Sequence, residues 1–225
     1  MKITLLSNCG LALCAEGQTL LVDALNKNFR CFSGLPVAEF EKMLAGEGDY
    51  AALCGVVSTH AHPDHYNESR TRALCAARGC ASFVPRADTP PRQTLQFGAF
   101  TVECHLFAHT PVEGWDRLAH GVLLITAGQT SIYLTADARP DVAQHRAILA
   151  GRRVSAAFWN GQYLSHPHTR ALLAEAAEQN YVYHIPVDPS DESGIRRKCE
   201  TNMTRHAAEL ANTTLLRHYP TQLTL

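Results

Sequence analysis

The stretch His60-Ala61-His62-Pro63-Asp64-His65 places three imidazoles and a carboxylate within six residues. Neutral imidazole nitrogens and carboxylate oxygens are ligands for zinc and for first-row metals of similar hardness. A lone His-x-His pair arises by chance on many surfaces. Asp64 and His65 at fixed offsets make a merely solvated polar turn a poor account of the pattern. The run in front, Leu53-Cys54-Gly55-Val56-Val57 followed by Ser58-Thr59, is short, apolar and partly β-branched, which predicts a buried strand. Pro63 suits the first turn of a helix. The four polar side chains are therefore expected on a strand-to-helix turn, with the helix running from Pro63 to just before Gly79. One such turn cannot complete the shells of two ions, so further His and Asp must arrive from other strand ends.

These residues carry a resemblance to the metallo-β-lactamase superfamily, whose signature His-x-His-x-Asp-His is matched by His60, His62, Asp64 and His65. The opening of the chain is similar too: Lys2 to Leu6, a turn at Asn8-Cys9-Gly10, Leu11 to Ala15, and Thr19 to Asp23 read as antiparallel strands. The family continues with a His, an Asp and a final His, each at a strand end. Phe107-Ala108-His109, Ile132 to Asp137 and Tyr181-Val182-Tyr183-His184 fit in that order. Ala136 stands where the family usually has Gly before the bridging Asp. His120 competes with His109, and His166 with His184; His109 is preferred because it ends a strand and begins a Thr-Pro loop.

The resemblance spans nearly the whole chain and implies a fold in the α/β (α+β) class, a four-layer αββα sandwich. It also implies a site for two divalent ions, zinc first, with manganese or iron as alternatives. His60, His62 and His109 would hold one ion; Asp64, His65 and His184 the other; Asp137 would bridge. Two adjacent cations lower the pKa of a shared water enough to yield hydroxide near neutral pH and take up charge on the attacked and leaving oxygens. Asp64, the expected catalytic residue, would also orient that hydroxide. An Asp at position 137 is the family pattern of phosphodiesterases, thioesterases and lactonases, so β-lactam hydrolysis is not expected.

The 225 residues are 46% hydrophobic, enough for a sizeable core, and suggest one domain over residues 1–225. A net charge of −1 gives no global pull toward nucleic acid or anionic membrane. No apolar run approaches transmembrane length, and the first residues are strand-like rather than leader-like, so a cytoplasmic protein is expected. The eight cysteines form no Cys-x-x-Cys pair and several fall in expected core strands, which favours reduced, buried thiols. Cys9 and Cys31 fall in loops that could approach the site.

Further elements complete the frame. Pro36 to Leu44 reads as an amphipathic helix, Phe100 to Phe107 as a strand, and Gly121 to Ala127 with Ser131 to Ala136 as a hairpin around Gly128-Gln129. A helix is expected between Pro140 and Gly151, a strand over Val154 to Trp159, and a helix over Thr169 to Asn180. Tyr181 to Ile185 reads as the last strand, and Asp191 to about Leu216 as a closing helix. Tyr163, His166 and His168, after the Val154 strand, are candidate substrate contacts. Arg196, Arg197 and Lys198 could bind phosphate if they face the cleft; a solvated helix face is the plainer alternative.

The expected function is di-metal hydrolysis of a small phosphodiester or phosphorylated metabolite, with a lactone or thioester as alternative substrate. From another class, an iron-dependent oxidoreductase or a non-catalytic metal-binding protein would use the same ligands. A small-molecule partner is expected, with neither nucleic acid nor membrane.

Overall fold

The computed structural model describes residues 1–111, 118–187 and 191–225. Strands β1 (Lys2–Leu5), β2 (Leu11–Ala15) and β3 (Gln18–Val22) open the chain, followed by helix α1 (Val37–Ala45) and strand β4 (Leu53–Val57). Helix α2 (Glu68–Arg78), strands β5 (Ala81–Phe83), β6 (Arg92–Phe97), β7 (Phe100–Phe107), β8 (His120–Ala127) and β9 (Thr130–Leu134), and helix α3 (Val142–Leu149) come next. Strand β10 (Ala156–Trp159), helix α4 (Pro167–Ala176), strand β11 (Gln179–Val182), helix α5 (Ile195–Arg205) and strands β12 (Thr213–Leu215) and β13 (Thr221–Thr224) complete it.

The strands form two sheets, one ordered β13-β1-β2-β3-β4-β5 and the other β12-β11-β10-β9-β8-β7-β6. Period-2 alternation decides which side chains meet between them. Leu11, Leu13, Leu20, Val22 and Val57 face Val102, Cys104, Leu123, Ile125, Leu134 and Phe158 of the second sheet in one buried cluster. The intervening residues point outward and are covered by helices. Ala12, Leu21 and Val56 pack with Met43 of α1 and Leu74 of α2. Leu124, Tyr133, Ala157 and Trp159 pack with Ile148, Leu172, Leu173 and Cys199 of α3, α4 and α5. The layers are thus α, β, β, α, the expected sandwich.

Several expected elements shift. The helix after the histidine motif begins at Glu68, not Pro63, because Asn67 caps it by accepting the Arg70 N–H at 3.0 Å. Residues 63–65 instead form a turn closed by hydrogen bonds from the His65 and Tyr66 amides to the His62 carbonyl (3.0 and 2.7 Å). The Thr169–Asn180 helix stops at Ala176, and Gln179 and Asn180 enter β11. The closing helix covers only Ile195–Arg205, and two short strands follow it. No helix among the described residues is long and apolar enough to cross a membrane. All eight cysteines are free.

Candidate metal centre

Both sheets deliver side chains to one edge of the sandwich. His60, His62, Asp64 and His65 follow β4; His109 follows β7; Asp137 follows β9; His184 follows β11. Backbone bonds fix these ends against one another. The Thr110 amide donates to the Asp137 carbonyl (2.9 Å), the Arg139 amide to Ala108 (2.8 Å), and the His184 amide to Asn8 (2.9 Å). Three residues at these ends hold the left-handed backbone region without being glycine: Asp23 at φ +50°, Ala136 at +44° and His184 at +56°. Such strain persists only where surrounding contacts over-determine the backbone.

The seven expected ligands converge. His60 Nε2 lies 2.9 Å from His62 Nδ1 and 3.7 Å from Asp137 Oδ2, and His109 Nε2 lies 3.6 Å from the same oxygen. On the other side His65 Nε2 lies 3.1 Å from His184 Nε2 and 3.4 Å from Asp137 Oδ2, and His184 Nε2 lies 3.2 Å from Asp64 Oδ2. Donors about 2.0–2.1 Å from a tetrahedral ion sit roughly 3.3 Å apart, so both half-sites have the spacing such an ion requires. Asp137 touches both. The buried Asp64 Oδ1 and His109 Nε2 have no hydrogen-bond partner, as atoms reserved for a cation would not.

Outer partners fix which ring nitrogen is free. Asp23, fully buried, accepts from the Thr59 amide (2.7 Å) and the Thr59 hydroxyl (2.8 Å), and its Oδ2 lies 2.9 Å from His65 Nδ1. His65 therefore carries its proton on Nδ1. With its own proton committed to Asp23, the Thr59 hydroxyl accepts from His60 Nδ1 at 3.0 Å. His109 Nδ1 donates to the Thr110 carbonyl. In all three rings the Nε2 lone pair faces the cluster, and carboxylate and carbonyl partners of this kind orient metal-binding histidines. One carboxylate thus sets the tautomer of two candidate ligands.

Charge states agree with ligation. Burial, with the His65 charge second, pulls His60 well below the ordinary histidine value, and burial with His109 takes His62 to about 4. Burial raises Asp137, but the His184 and His65 charges beside it outweigh that and hold the carboxyl well below the usual range. His60 and His62 are thus neutral beside an ionised Asp137, as ligands must be; His65, lowered by burial but raised further by Cys9, Asp23, Asp137 and Asp64, lies well above the ordinary histidine value, so an ion there would have to displace a proton.

The competing histidines separate cleanly. His120 begins β8 behind the site, its ring centroid 4.8 Å from that of His60, with no partner on either nitrogen; it stands outside the group formed by His60, His62, His109 and Asp137. His166 is exposed, whereas His184 is buried in the cluster.

Other expectations need correction. Tyr163 is fully buried, its hydroxyl on His145 (2.6 Å), and is not among the residues lining the cavity over the metal centre. Pro167 starts α4, and His166 and His168 stack on each other at the exposed end of that helix. Arg196 is taken by the Val187 carbonyl and Glu200, and Arg197 is exposed; of that trio only Lys198 lines the cavity over the metal centre. The loop expected from Thr110 to Ala119 lies, for residues 112–117, outside the described residues. Cys31 lines a neighbouring cleft with Asp191.

The sequence reading missed Asp23, Asn26 and Arg30. Asn26, fully buried, donates to the Asp64 carbonyl at 2.9 Å and accepts from the Leu35 amide at 2.8 Å, tying the histidine turn to the first sheet. Cys9 donates to the same Asp64 carbonyl (3.0 Å). It also lies near His65 and His184, but on the Nδ1 side of His65 (3.4 Å), and burial pushes its thiol up to about 12. We read Cys9 as a neutral buttress. A cavity of about 300 Å³ opens above, floored by His109, Asp137 and His184 and walled by Arg30, Phe32, Gln162 and Lys198. Phe32 packs on His184 with ring centroids 4.1 Å apart.

Neither a protein-family model nor a curated protein matches this sequence. Solved structures do. CmlA, a diiron beta-hydroxylase from Streptomyces venezuelae, superposes with a TM-score of 0.68 at 17% identity; the match covers 100% of this chain but 54% of CmlA. The isothiocyanate hydrolase from Delia radicum gut bacteria gives 0.65 at 16% identity, covering 100% of this chain and 99% of that one. The metallo-beta-lactamase fold protein YhfI from Bacillus subtilis gives 0.63 at 16% identity, covering 99% and 98%. With the ligand geometry above, these likenesses establish that the chain has the metallo-β-lactamase fold.

Proposed function

We propose that the chain is a metal-dependent hydrolase with two divalent ions, zinc first, acting on a small phosphodiester or phosphorylated metabolite. One observation carries the reading: seven His and Asp side chains from both sheets converge with ligand spacing, and three of the rings have their free nitrogen turned inward. The ions, when bound, would supply hydroxide near neutral pH and stabilise negative charge on the attacked centre. Asp64, with one buried oxygen unpartnered and the other 3.2 Å from His184 of the cavity floor, would hold and pass a proton. Arg30 and Lys198 supply cationic walls for an anionic substrate, and Phe32 and Ile195 an apolar flank. A volume of about 300 Å³ suits a small molecule, not a nucleic-acid chain.

The test is metal analysis plus turnover on a panel of a bis-aryl phosphodiester, a lactone, a thioester and an isothiocyanate. Two ions per chain and chelator-sensitive turnover, fastest on the phosphodiester, are expected. Lys198→Ala should raise KM more than it lowers kcat. A chain that binds no divalent ion, or turns over nothing in a metal-dependent way, refutes the reading.

A second reading has a specific observation behind it. The isothiocyanate hydrolase matches nearly end to end, so attack at an electrophilic carbon, lactone and thioester included, is the first alternative. CmlA, named as diiron, makes iron the first alternative metal, because an all-nitrogen and oxygen ligand set suits it.

A further inference from the structure

We propose that Asn160 and Tyr163 are positioning residues that set the site of the bridging carboxylate by holding the backbone on either side of Asp137. The inference rests on the two-ion reading above.

Asp137 sits on a short arch between β9 and α3, with Ala136 before it in the left-handed region at φ +44°. Nothing in an alanine favours that conformation, so the arch must be held from outside. Each of its three carbonyls has a donor from a neighbouring segment, and that of Ala138 has two, the Thr110 hydroxyl being 3.4 Å away. Asn160 Nδ2 donates to the Ala136 carbonyl at 2.6 Å, the Thr110 amide to that of Asp137 at 2.9 Å, and the Tyr163 hydroxyl to that of Ala138 at 3.3 Å. Asn160 and Tyr163 are both buried and both follow β10, the central neighbour of β9.

Tyr163 is itself oriented. Its oxygen meets His145 Nε2 at 2.6 Å, and His145 Nδ1 meets the Tyr133 hydroxyl at 2.7 Å. The Ala138 carbonyl can only accept, so the Tyr163 proton points to it. His145 Nε2–H then donates to Tyr163, and Tyr133 donates to His145 Nδ1. This fully buried chain has one consistent direction, and its last bond ends one residue from the bridging carboxylate. A carboxylate that must touch two ions tolerates little displacement, and outer partners of metal ligands typically set affinity by 10–100-fold.

Asn160→Asp separates this role from a merely structural one. The Asn160 side chain also caps the short turn Gly161–Leu164, accepting the Gln162 amide at 2.9 Å. Aspartate keeps that acceptor and loses the donor to Ala136. Tyr163→Phe is the second variant; it keeps the packing and removes only the hydroxyl. Both are titrated with zinc against a chelating fluorophore, melted in chelator, and loaded with cobalt for visible spectra. We expect the weaker of the two zinc affinities to fall about 10–100-fold and the cobalt bands to change, in variants that still melt cooperatively in chelator. Two affinities within twofold of wild type in both variants, with unchanged cobalt spectra, overturn the proposal while the two-ion reading stands. A wild-type chain that binds no divalent ion overturns both.

Discussion

Asp23→Asn tests the logic of the site most directly. The native carboxylate receives the Thr59 amide at 2.7 Å on one oxygen, and the Thr59 hydroxyl (2.8 Å) and His65 Nδ1 (2.9 Å) on the other. Asparagine keeps the first acceptor through its carbonyl oxygen. Its amide nitrogen then occupies the second position and presents hydrogens to a hydroxyl and to an imidazole N–H. The hydroxyl can rotate away; the imidazole can escape the clash only by moving its proton to Nε2. That puts the proton on the nitrogen facing His184 and Asp137, where a lone pair is needed. Losing one hydrogen bond to a charged group costs about 1.5–3 kcal/mol. Because the choice of tautomer couples directly to ligation, we expect roughly 10–100-fold weaker binding of the ion shared by Asp64, His65 and His184, the same energy range. Zinc titration of wild type and Asp23→Asn against a chelating fluorophore should show one affinity nearly retained and one reduced. Two unchanged affinities, with the variant folded, would refute the claim that Asp23 sets the His65 tautomer.

Three further outcomes follow from the geometry. Asp64→Ala should lower turnover by about 10²–10⁴-fold while the melting temperature of chelator-treated protein changes little, since an unpartnered buried oxygen is removed with it; wild-type turnover with metal still bound would contradict this role. Burial holds His145 at about 4, against 6.5 when unfolded, so between these values the unfolded chain binds the extra proton. Its contribution, roughly 3 kcal/mol, is complete above pH 6.5 and lost as pH falls toward 4; denaturant titrations across this window should give a shallower pH slope for His145→Gln than for wild type. Gly55→Ala would put a Cβ 2.2 Å from the Phe97 ring across the sandwich, so a loss of about 1–3 kcal/mol by urea titration is expected, partly restored by Phe97→Leu.

What the sequence made legible follows from how strongly each feature is encoded. Strands such as Leu20 to Val22 and Val56-Val57 bury alternate residues in different layers, and that periodicity survives in the sequence. The His60 to His65 motif is contiguous, so its chemistry is readable without a fold. The closing strands were hidden because β12 and β13 read Thr-Thr-Leu and Thr-Gln-Leu-Thr at the outer margins of their sheets, where little apolar pattern is required. Asn180 looked like a helix end, yet it is fully buried in β11, joined to the Trp159 indole and the Leu173 carbonyl. Pro63 suggested a helix start that Asn67 actually provides. Asp23 and Asn26 were not identifiable as site residues because their roles depend on which strand ends lie together, a property of the assembled sheets.

The division of the ligands between the two sheets has a thermodynamic corollary. His60, His62, Asp64 and His65 belong to the sheet built from residues 2–83 and the final strand; His109, Asp137 and His184 belong to the other. A loaded centre would therefore be a clasp across the sandwich, and the sheets could not part at that edge without releasing their cargo. Ligand linkage then sets how firmly it holds: free ion at about 100 times its dissociation constant adds about 2.7 kcal/mol to the folded state. Metal supply would thereby govern the stability of the folded chain as well as its chemistry, and a cell starved of the ion would hold a less stable protein rather than merely an idle one.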